Sequence, residues 1–121
     1  MAEKHTVKAF DTEIGQLRGL IAEMGGIAEA MIRDAVDALA NHDEALGLEV
    51  IETDARLDAL EAEVDRLAVR VIALRAPMAD DLRDVIAALK ISGVVERIGD
   101  YAKNIAKRVT EMEHSKKLGP L

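Results

Sequence analysis

The sequence contains no cysteine and no tryptophan, and only one phenylalanine and one tyrosine among its 121 residues. The lack of cysteine excludes disulfide bonds, Cys-ligated zinc, iron–sulfur clusters and thiol catalysis. The scarcity of aromatic residues requires an aliphatic core, built from Leu, Ile, Val, Ala and five Met. With two prolines and long runs rich in Ala, Leu, Glu, Asp and Arg, the composition predicts long helices and excludes an all-β fold.

Long hydrophobic runs are also missing. No run approaches the ~20 apolar residues of a membrane span, and residues 1–10 lack the apolar segment of a signal peptide. We therefore expect a cytoplasmic protein. The formal net charge of −7 argues against sequence-independent binding of nucleic acid, because such binding relies on a basic surface.

Heptad patterns predict three long helices, at about residues 9–40, 44–75 and 79–113. In the first two helices, apolar residues recur at spacings of three and four, with one gap of seven between Val50 and Leu57, which is the pattern of a helix-bundle seam. These residues are Phe10, Ile14, Leu17, Ile21, Met24, Ala28, Met31, Ala35 and Ala38, then Val50, Leu57, Leu60, Val64, Leu67, Val71 and Leu74. Short connections require an all-α, antiparallel three-helix bundle. Residues 1–8 are expected to be a flexible tail, and 114–121 a second tail or linker.

The third helix carries two stripes of different chemistry. The first stripe changes from aliphatic residues to a glycine and two carboxylates: Leu82, Ile86, Leu89, Gly93, Glu96 and Asp100. The second stripe is expected to pack in the core: Ile91, Val95, Ile98, Ala102, Ile105, Val109 and Met112. Gly93 is expected to allow close approach of a neighbouring helix.

Acidic residues also form a stripe on the second helix. Asp54, Asp58, Glu61 and Asp65 follow one another at spacings of four, three and four. Side chains four residues apart point to one spot, so Glu96 and Asp100 form a pair on the third helix, with Asn104 one turn beyond. Paired carboxylates on adjacent helices hold hard cations and oxygen-ligated iron or manganese. A solvated acidic face explains the same pattern, and the spacing alone leaves both interpretations open.

Motifs for catalysis are sparse. A carboxylate-bridged metalloenzyme needs two Glu-x-x-His motifs, and only Glu111 with His114 forms one. No serine lies in a strand–turn–helix elbow, and no glycine-rich phosphate loop is present. The alternatives to a binding protein are therefore such a metalloenzyme, which the motif count disfavours, or a helical scaffold without a site.

Four strings carry a family resemblance: Leu17 with Met24-Gly25, DARLDALE at 54–61, PMADDLR at 77–83 and ERIGDYAKNIA at 96–106. In this order and separation they resemble the PhoU family, the phosphate-specific transport system accessory proteins of bacteria. The resemblance covers roughly residues 8–112. It implies one three-helix PhoU domain, similar to the N-terminal copy of the two that family members usually carry in tandem.

The resemblance also implies metal binding through a Glu/Asp-x-x-x-Asp motif. Glu96 with Asp100 and Asp54 with Asp58 meet that pattern, for iron or a divalent cation such as Mg, Mn or Zn. Four further residues are candidate ligands or partner contacts: Glu61, Asn104, Arg83 and Arg97. The implied function is a regulatory adaptor, not an enzyme, that negatively regulates phosphate uptake and the phosphate-starvation response. Its implied partners are the ATPase component of the phosphate transporter and a sensor histidine kinase, which hold it at the membrane periphery.

Three long aliphatic helices leave more apolar surface than a monomer of this size ordinarily exposes. We therefore expect self-association as an isologous homodimer. The sequence pattern does not identify which helices form the contact.

Overall fold

A computed structural model of the chain describes residues 2–117, with side chains described for residues 7–116. Within this range there are three α-helices and no strand: α1 at Ala2–Asn41, α2 at Glu44–Arg75 and α3 at Asp80–Lys117. The second helix has the predicted bounds. The first helix begins earlier and the third ends later than predicted, so residues 2–8 and 114–117 of the predicted tails are helical, whereas Met1 and 118–121 lie outside the described residues. None of the described helices is long and apolar enough to cross a membrane.

Local sequence explains the two short connections. His42 adopts a left-handed φ of 52° after α1, and the Asp43 carboxylate then accepts a hydrogen bond from the Leu46 amide at 3.1 Å. Asp43 is therefore the N-cap of α2. Ala76 ends α2 with a φ of 43°, and its amide donates to the Ile72 carbonyl at 3.1 Å before Pro77 stops the helix. Such short turns make consecutive helices antiparallel, so α1 and α3 run parallel.

The predicted seams of α1 and α2 form most of the core. Every predicted seam residue of α1 is buried except Ile21, which is half-buried. In α2, Val50, Leu57, Val64 and Val71 are buried, whereas Leu74 at the end of the helix is 58% exposed. All three helices contact one another along this core.

The buried line of α3 differs from the predicted one. It consists mainly of small residues: Val85, Ala88, Ser92, Gly99, Ala102, Ala106 and Val109. The predicted core stripe is wrong for Ile91, Ile98 and Met112, which are exposed. Because small residues face inward, α3 lies close to its neighbours and turns its larger aliphatic side chains outward.

Gly99, rather than Gly93, marks the close approach of two helices. A Cβ at Gly99 would collide with Cδ2 of Leu57 on α2, whereas a Cβ at Gly93 would have nothing within 4 Å. Gly99 lies on the buried line of α3 and Gly93 lies beside it. The prediction for Gly93 is therefore wrong because it followed the wrong stripe.

Candidate functional site

Carboxylates from α2 and α3 share one side of the bundle. We call Asp54, Asp58, Glu61, Glu96 and Asp100 the acidic cluster. The charges of Asp54 and Asp100 act on Asp58, and those of Asp100, Glu61 and Asp58 act on Glu96. Helical spacing pairs Asp54 with Asp58 on α2 and Glu96 with Asp100 on α3. Because α2 and α3 pack side by side, the two pairs lie near each other.

Mutual repulsion and partial burial change the acidity of this cluster. The pKa of Glu96 is raised to about 7, first by burial and then by the charge of Asp100 and a hydrogen bond with it. Burial, followed by the charges of Asp54 and Asp100, raises the pKa of Asp58. Burial and then the charge of Asp65 raise the pKa of Glu61. The cluster therefore attracts protons or cations more strongly than isolated surface carboxylates do.

Asp54 is the most buried member of the acidic cluster, at 2% exposure. Its Oδ2 lies 3.1 Å from Nζ of Lys103 on α3, and the hydrogen bond and charge of Asp54 raise the pKa of Lys103. Its Oδ1 is buried and accepts no hydrogen bond from any described residue. One oxygen of Asp54 thus ties α2 to α3, while the other retains an unused acceptor.

The other predicted residues are placed differently. Asn104 and Arg97 are exposed, and neither makes a hydrogen bond or ion pair within the described part of the chain. Arg83 pairs with Asp80 at 3.3 Å in the first turn of α3, about 20 Å along the helix from Glu96 at ~1.5 Å per residue. The structure therefore brings Glu61 into the cluster but not Asn104, Arg83 or Arg97.

Two ion pairs between helices that are largely shielded from solvent were not predicted from the sequence. Lys103 is the partner of Asp54, and Nε of Arg75 donates to Oε1 of the buried Glu13 at 2.8 Å. Lys103 follows Glu96 by seven residues, which is one heptad or about two helical turns, and this spacing places it on the same side of α3, toward α2. For Glu13, its position next to the seam residue Ile14 was the only feature in the sequence that pointed to burial.

The donor set of the acidic cluster suits a hard cation, since it consists of carboxylate oxygens with one buried acceptor still unused. However, no three His, Asp or Glu side chains in the described residues are already gathered as a metal-binding group. The chemistry of the residues fits a metal ion. Side-chain rotation is required before several of them can share one.

Comparison with known proteins gives the family. The PhoU domain model matches residues 21–109, which is most of the chain. The chain belongs to the PhoU family. It is 53% identical over 117 residues to the phosphate-specific transport system accessory protein PhoU homolog of Zymomonas mobilis, covering 97% of the chain and 49% of that protein. It is 50% identical over 105 residues to the homolog of the same name from Caulobacter vibrioides, covering 87% of the chain and 46% of that protein.

A PhoU crystal structure supports the same fold. PhoU from Pseudomonas aeruginosa superposes with a TM-score of 0.82 and 37% sequence identity, covering 85% of this chain and 49% of that one. The chain thus spans about half the length of the PhoU relatives that it matches. The expected PhoU-type three-helix bundle is confirmed.

Proposed function

We propose that the chain is a regulatory adaptor of bacterial phosphate homeostasis, without catalytic activity, that restrains phosphate uptake and the phosphate-starvation response. The observation that carries this proposal is PhoU family membership, with relatives named as phosphate-specific transport system accessory proteins. Its proposed partners are the ATPase component of a phosphate transporter and a sensor histidine kinase. These partners would recruit a cytoplasmic protein to the membrane. We also propose that the chain self-associates.

Metal binding at the acidic cluster is the second part of the proposal. Asp58, Glu96 and Asp100 would supply carboxylate ligands, and Oδ1 of Asp54 would add a buried one. The raised pKa of Glu96 supports this assignment, because it reflects burial and negative charge that a cation would neutralise. Iron, or a divalent cation such as Mn, Mg or Zn, would bind through these oxygens and draw α2 and α3 together.

The metal assignment is tested by elemental analysis of purified protein and by thermal unfolding in increasing Mn²⁺, Mg²⁺, Zn²⁺ or iron. A bound ion should raise the Tm progressively with its concentration. The double variant Glu96→Gln/Asp100→Asn should lose this rise, while its metal-free form is as stable as the wild type or more so. The matched control Asp84→Asn/Glu111→Gln removes two exposed acidic charges elsewhere on α3 and should keep the rise. If the Tm of the Glu96→Gln/Asp100→Asn variant still rose with ion concentration, the ions would bind at another site.

The adaptor role is tested by measuring binding of the chain to the transporter ATPase and to the cytoplasmic region of the histidine kinase. We expect saturable binding to at least one of them, and derepressed phosphate-starvation signalling in cells that lack the chain. Absence of both binding and signalling effects would contradict the proposal and favour a scaffold without a site.

A further inference from the structure

Lys103 borders the acidic cluster and neutralises part of its charge. Its Nζ lies 3.1 Å from Oδ2 of Asp54, and Lys103 follows Asp100 by three residues, which places both on one side of α3. The hydrogen bond and then the charge of Asp54 raise the pKa of Lys103, against an opposing effect of burial, and the charges of Asp58 and Asp100 raise it further. One ammonium group therefore interacts with carboxylates of both helices.

The pair of Asp54 and Lys103 is largely enclosed by the bundle. The Asp54 side chain is 3% exposed and the Lys103 side chain 31%. Salt screens such a pair much less than it screens a surface pair. Without the ammonium, Asp54 would be a buried carboxylate that lacks a counter-charge, which is strongly unfavourable. Asp54 therefore depends on a nearby positive charge in the folded chain.

The unused oxygen of Asp54 points to a second source of positive charge. Oδ1 is buried and accepts no hydrogen bond from any described residue, although buried polar atoms are normally satisfied. The ammonium of Lys103 pairs with Oδ2 alone. It is also a single positive charge beside the five carboxylates of the acidic cluster. A metal ion carries more charge and would bind the oxygen that Lys103 leaves unused.

An ammonium group and a metal ion compete for Asp54. An ion bound through Oδ1 would share the carboxylate with Lys103, and two cations beside one carboxylate repel each other at short range. The Lys103 side chain is flexible and partly exposed, so it can turn into solvent, whereas Asp54 is fixed in the core. Lys103 is therefore the member of the pair that an incoming ion displaces.

We propose that Lys103 is an intramolecular competitor of the metal ion at the acidic cluster, holding Asp54 in the metal-free chain and moving into solvent when an ion binds. Lys103 thus lowers the affinity for the ion without being a ligand. The metal-loaded chain would also present on its surface an ammonium group that the metal-free chain keeps against Asp54. This inference rests on the metal binding proposed above and is independent of the regulatory role and of self-association.

The first experiment measures Mn²⁺ binding by calorimetry to the wild type, Lys103→Met and Lys90→Met. Lys90 is exposed on the same helix, about 20 Å from Lys103 at ~1.5 Å per residue, so its variant loses the same charge away from the cluster. Lys103→Met should bind Mn²⁺ at least about tenfold more tightly than the wild type, because a neighbouring positive charge is gone. Lys90→Met should bind like the wild type.

Thermal unfolding of the same three proteins separates competition from a purely structural role. With a chelator present, Lys103→Met should have a Tm several degrees below the wild type, because Asp54 loses its counter-charge. Mn²⁺ should restore most of this loss, and its effect on the Tm should be larger in Lys103→Met than in the wild type. A lysine with only a structural role would give the loss without the larger effect of Mn²⁺.

A second measurement uses the wild type alone and therefore does not depend on the folding of a variant. The rate of acetylation of each lysine by acetic anhydride is followed by peptide mass spectrometry. In the metal-free chain Lys103 should react more slowly than Lys90, because Asp54 holds its ammonium group. With saturating Mn²⁺, the rate at Lys103 should approach that at Lys90, whose own rate should not change.

Two outcomes would overturn the proposal and leave metal binding intact. They are equal Mn²⁺ affinities of the wild type and Lys103→Met, and a Lys103 that stays protected in the Mn²⁺-saturated wild type. Absence of Mn²⁺ binding in both proteins would refute the competition together with the metal assignment. Binding by Lys103→Met alone would support the competition, while refuting Mn²⁺ binding by the wild type.

Discussion

The two sides of α3 contrast sharply. Toward α2, the helix carries Glu96, Asp100 and Lys103, and the helices are so close that Gly99 has no room for a Cβ beside Leu57. Toward α1, it carries Ile91, Val94 and Ile98, which stay exposed beside an open groove. Both sets flank the same buried line of small residues. A heptad helix can therefore carry a cluster of carboxylates on one side of its core line and exposed apolar side chains on the other, because the positions on the two sides are chemically independent.

The largest effect is expected at Leu57, where α2 packs closely against α3. Leu57→Ala should lower the free energy of unfolding by about 2–5 kcal/mol, because a fully buried leucine is truncated where α2 meets α3. Leu74→Ala, the same change at an exposed position of α2, should cost no more than ~0.5 kcal/mol. Urea denaturation measures both. Equal losses in the two variants would mean that the α2/α3 contact is looser than described.

The close approach itself is tested by two glycine substitutions on α3. Gly93→Ala enters open space and should stabilise the protein by about 1 kcal/mol through helix propensity. Gly99→Ala should instead destabilise it by about 1–2 kcal/mol, because overpacking against Leu57 outweighs that gain.

A double-mutant cycle sharpens this result. In a Leu57→Ala background the obstructing side chain is gone, so Gly99→Ala should become neutral or stabilising. If Gly99→Ala destabilised the Leu57→Ala variant as much as the wild type, a contact other than Leu57 would explain why glycine is required at this position.

A smaller effect concerns pH. The pKa of Glu96 rises from 4.5 to about 7 on folding, so the folded chain holds this proton more tightly than the unfolded chain. Stability should therefore fall as pH rises from about 4.5 to 7 and level off above that range. Because solvent reaches the carboxyl, we expect a loss of only about 1 kcal/mol.

Glu96→Gln should flatten this part of the stability profile, measured by urea denaturation with a chelator present. Glu111→Gln, an exposed glutamate on the same helix, should leave the slope unchanged. A slope that survives Glu96→Gln would assign the proton to another carboxyl of the acidic cluster.

The smallest effect is expected in the first turn of α3, far from the acidic cluster and from Gly99. Asp80→Ala breaks an ion pair with Arg83 in which both side chains are more than 80% exposed, at 91% and 83%. Exposed pairs contribute little, so the free energy of unfolding should change by no more than ~0.5 kcal/mol. A thermal melt that shifts by several degrees would reveal a capping role for Asp80 in the first turn.

The core residues were predictable in the helices where the large apolar residues form a single line. In α1 and α2 the apolar residues alternate without competition, and residues such as Leu17, Met24 and Val64 are buried as predicted. In α3 two stripes of large aliphatic residues compete, and the buried line runs through alanines, a serine and Gly99 instead. A hydrophobic pattern gives little weight to small residues. Their effect is to let two helices pack at a short distance. That distance is a property of the packed pair and is absent from either helix alone.

The acidic cluster was predictable in membership but not in its pairing. Helical spacing is enough to place Glu96 beside Asp100, and antiparallel packing brings Asp58 to them. The pairing of Asp54 with Lys103 depends on the axial position of α3 against α2, to within one turn. Spacing within one helix contains no information about that offset.

Gly99 also helps to determine how α3 is aligned along α2. A heptad pattern repeats itself, so sliding α3 along α2 by seven residues would again present apolar residues to the core. Such a slip would bring Ser92 or Ala106 opposite Leu57, and either Cβ would require the Leu57 side chain to move. The slip would also leave Asp54 buried without Lys103. Gly99 and the Asp54–Lys103 pair thus favour one alignment among several that the repeat would otherwise permit.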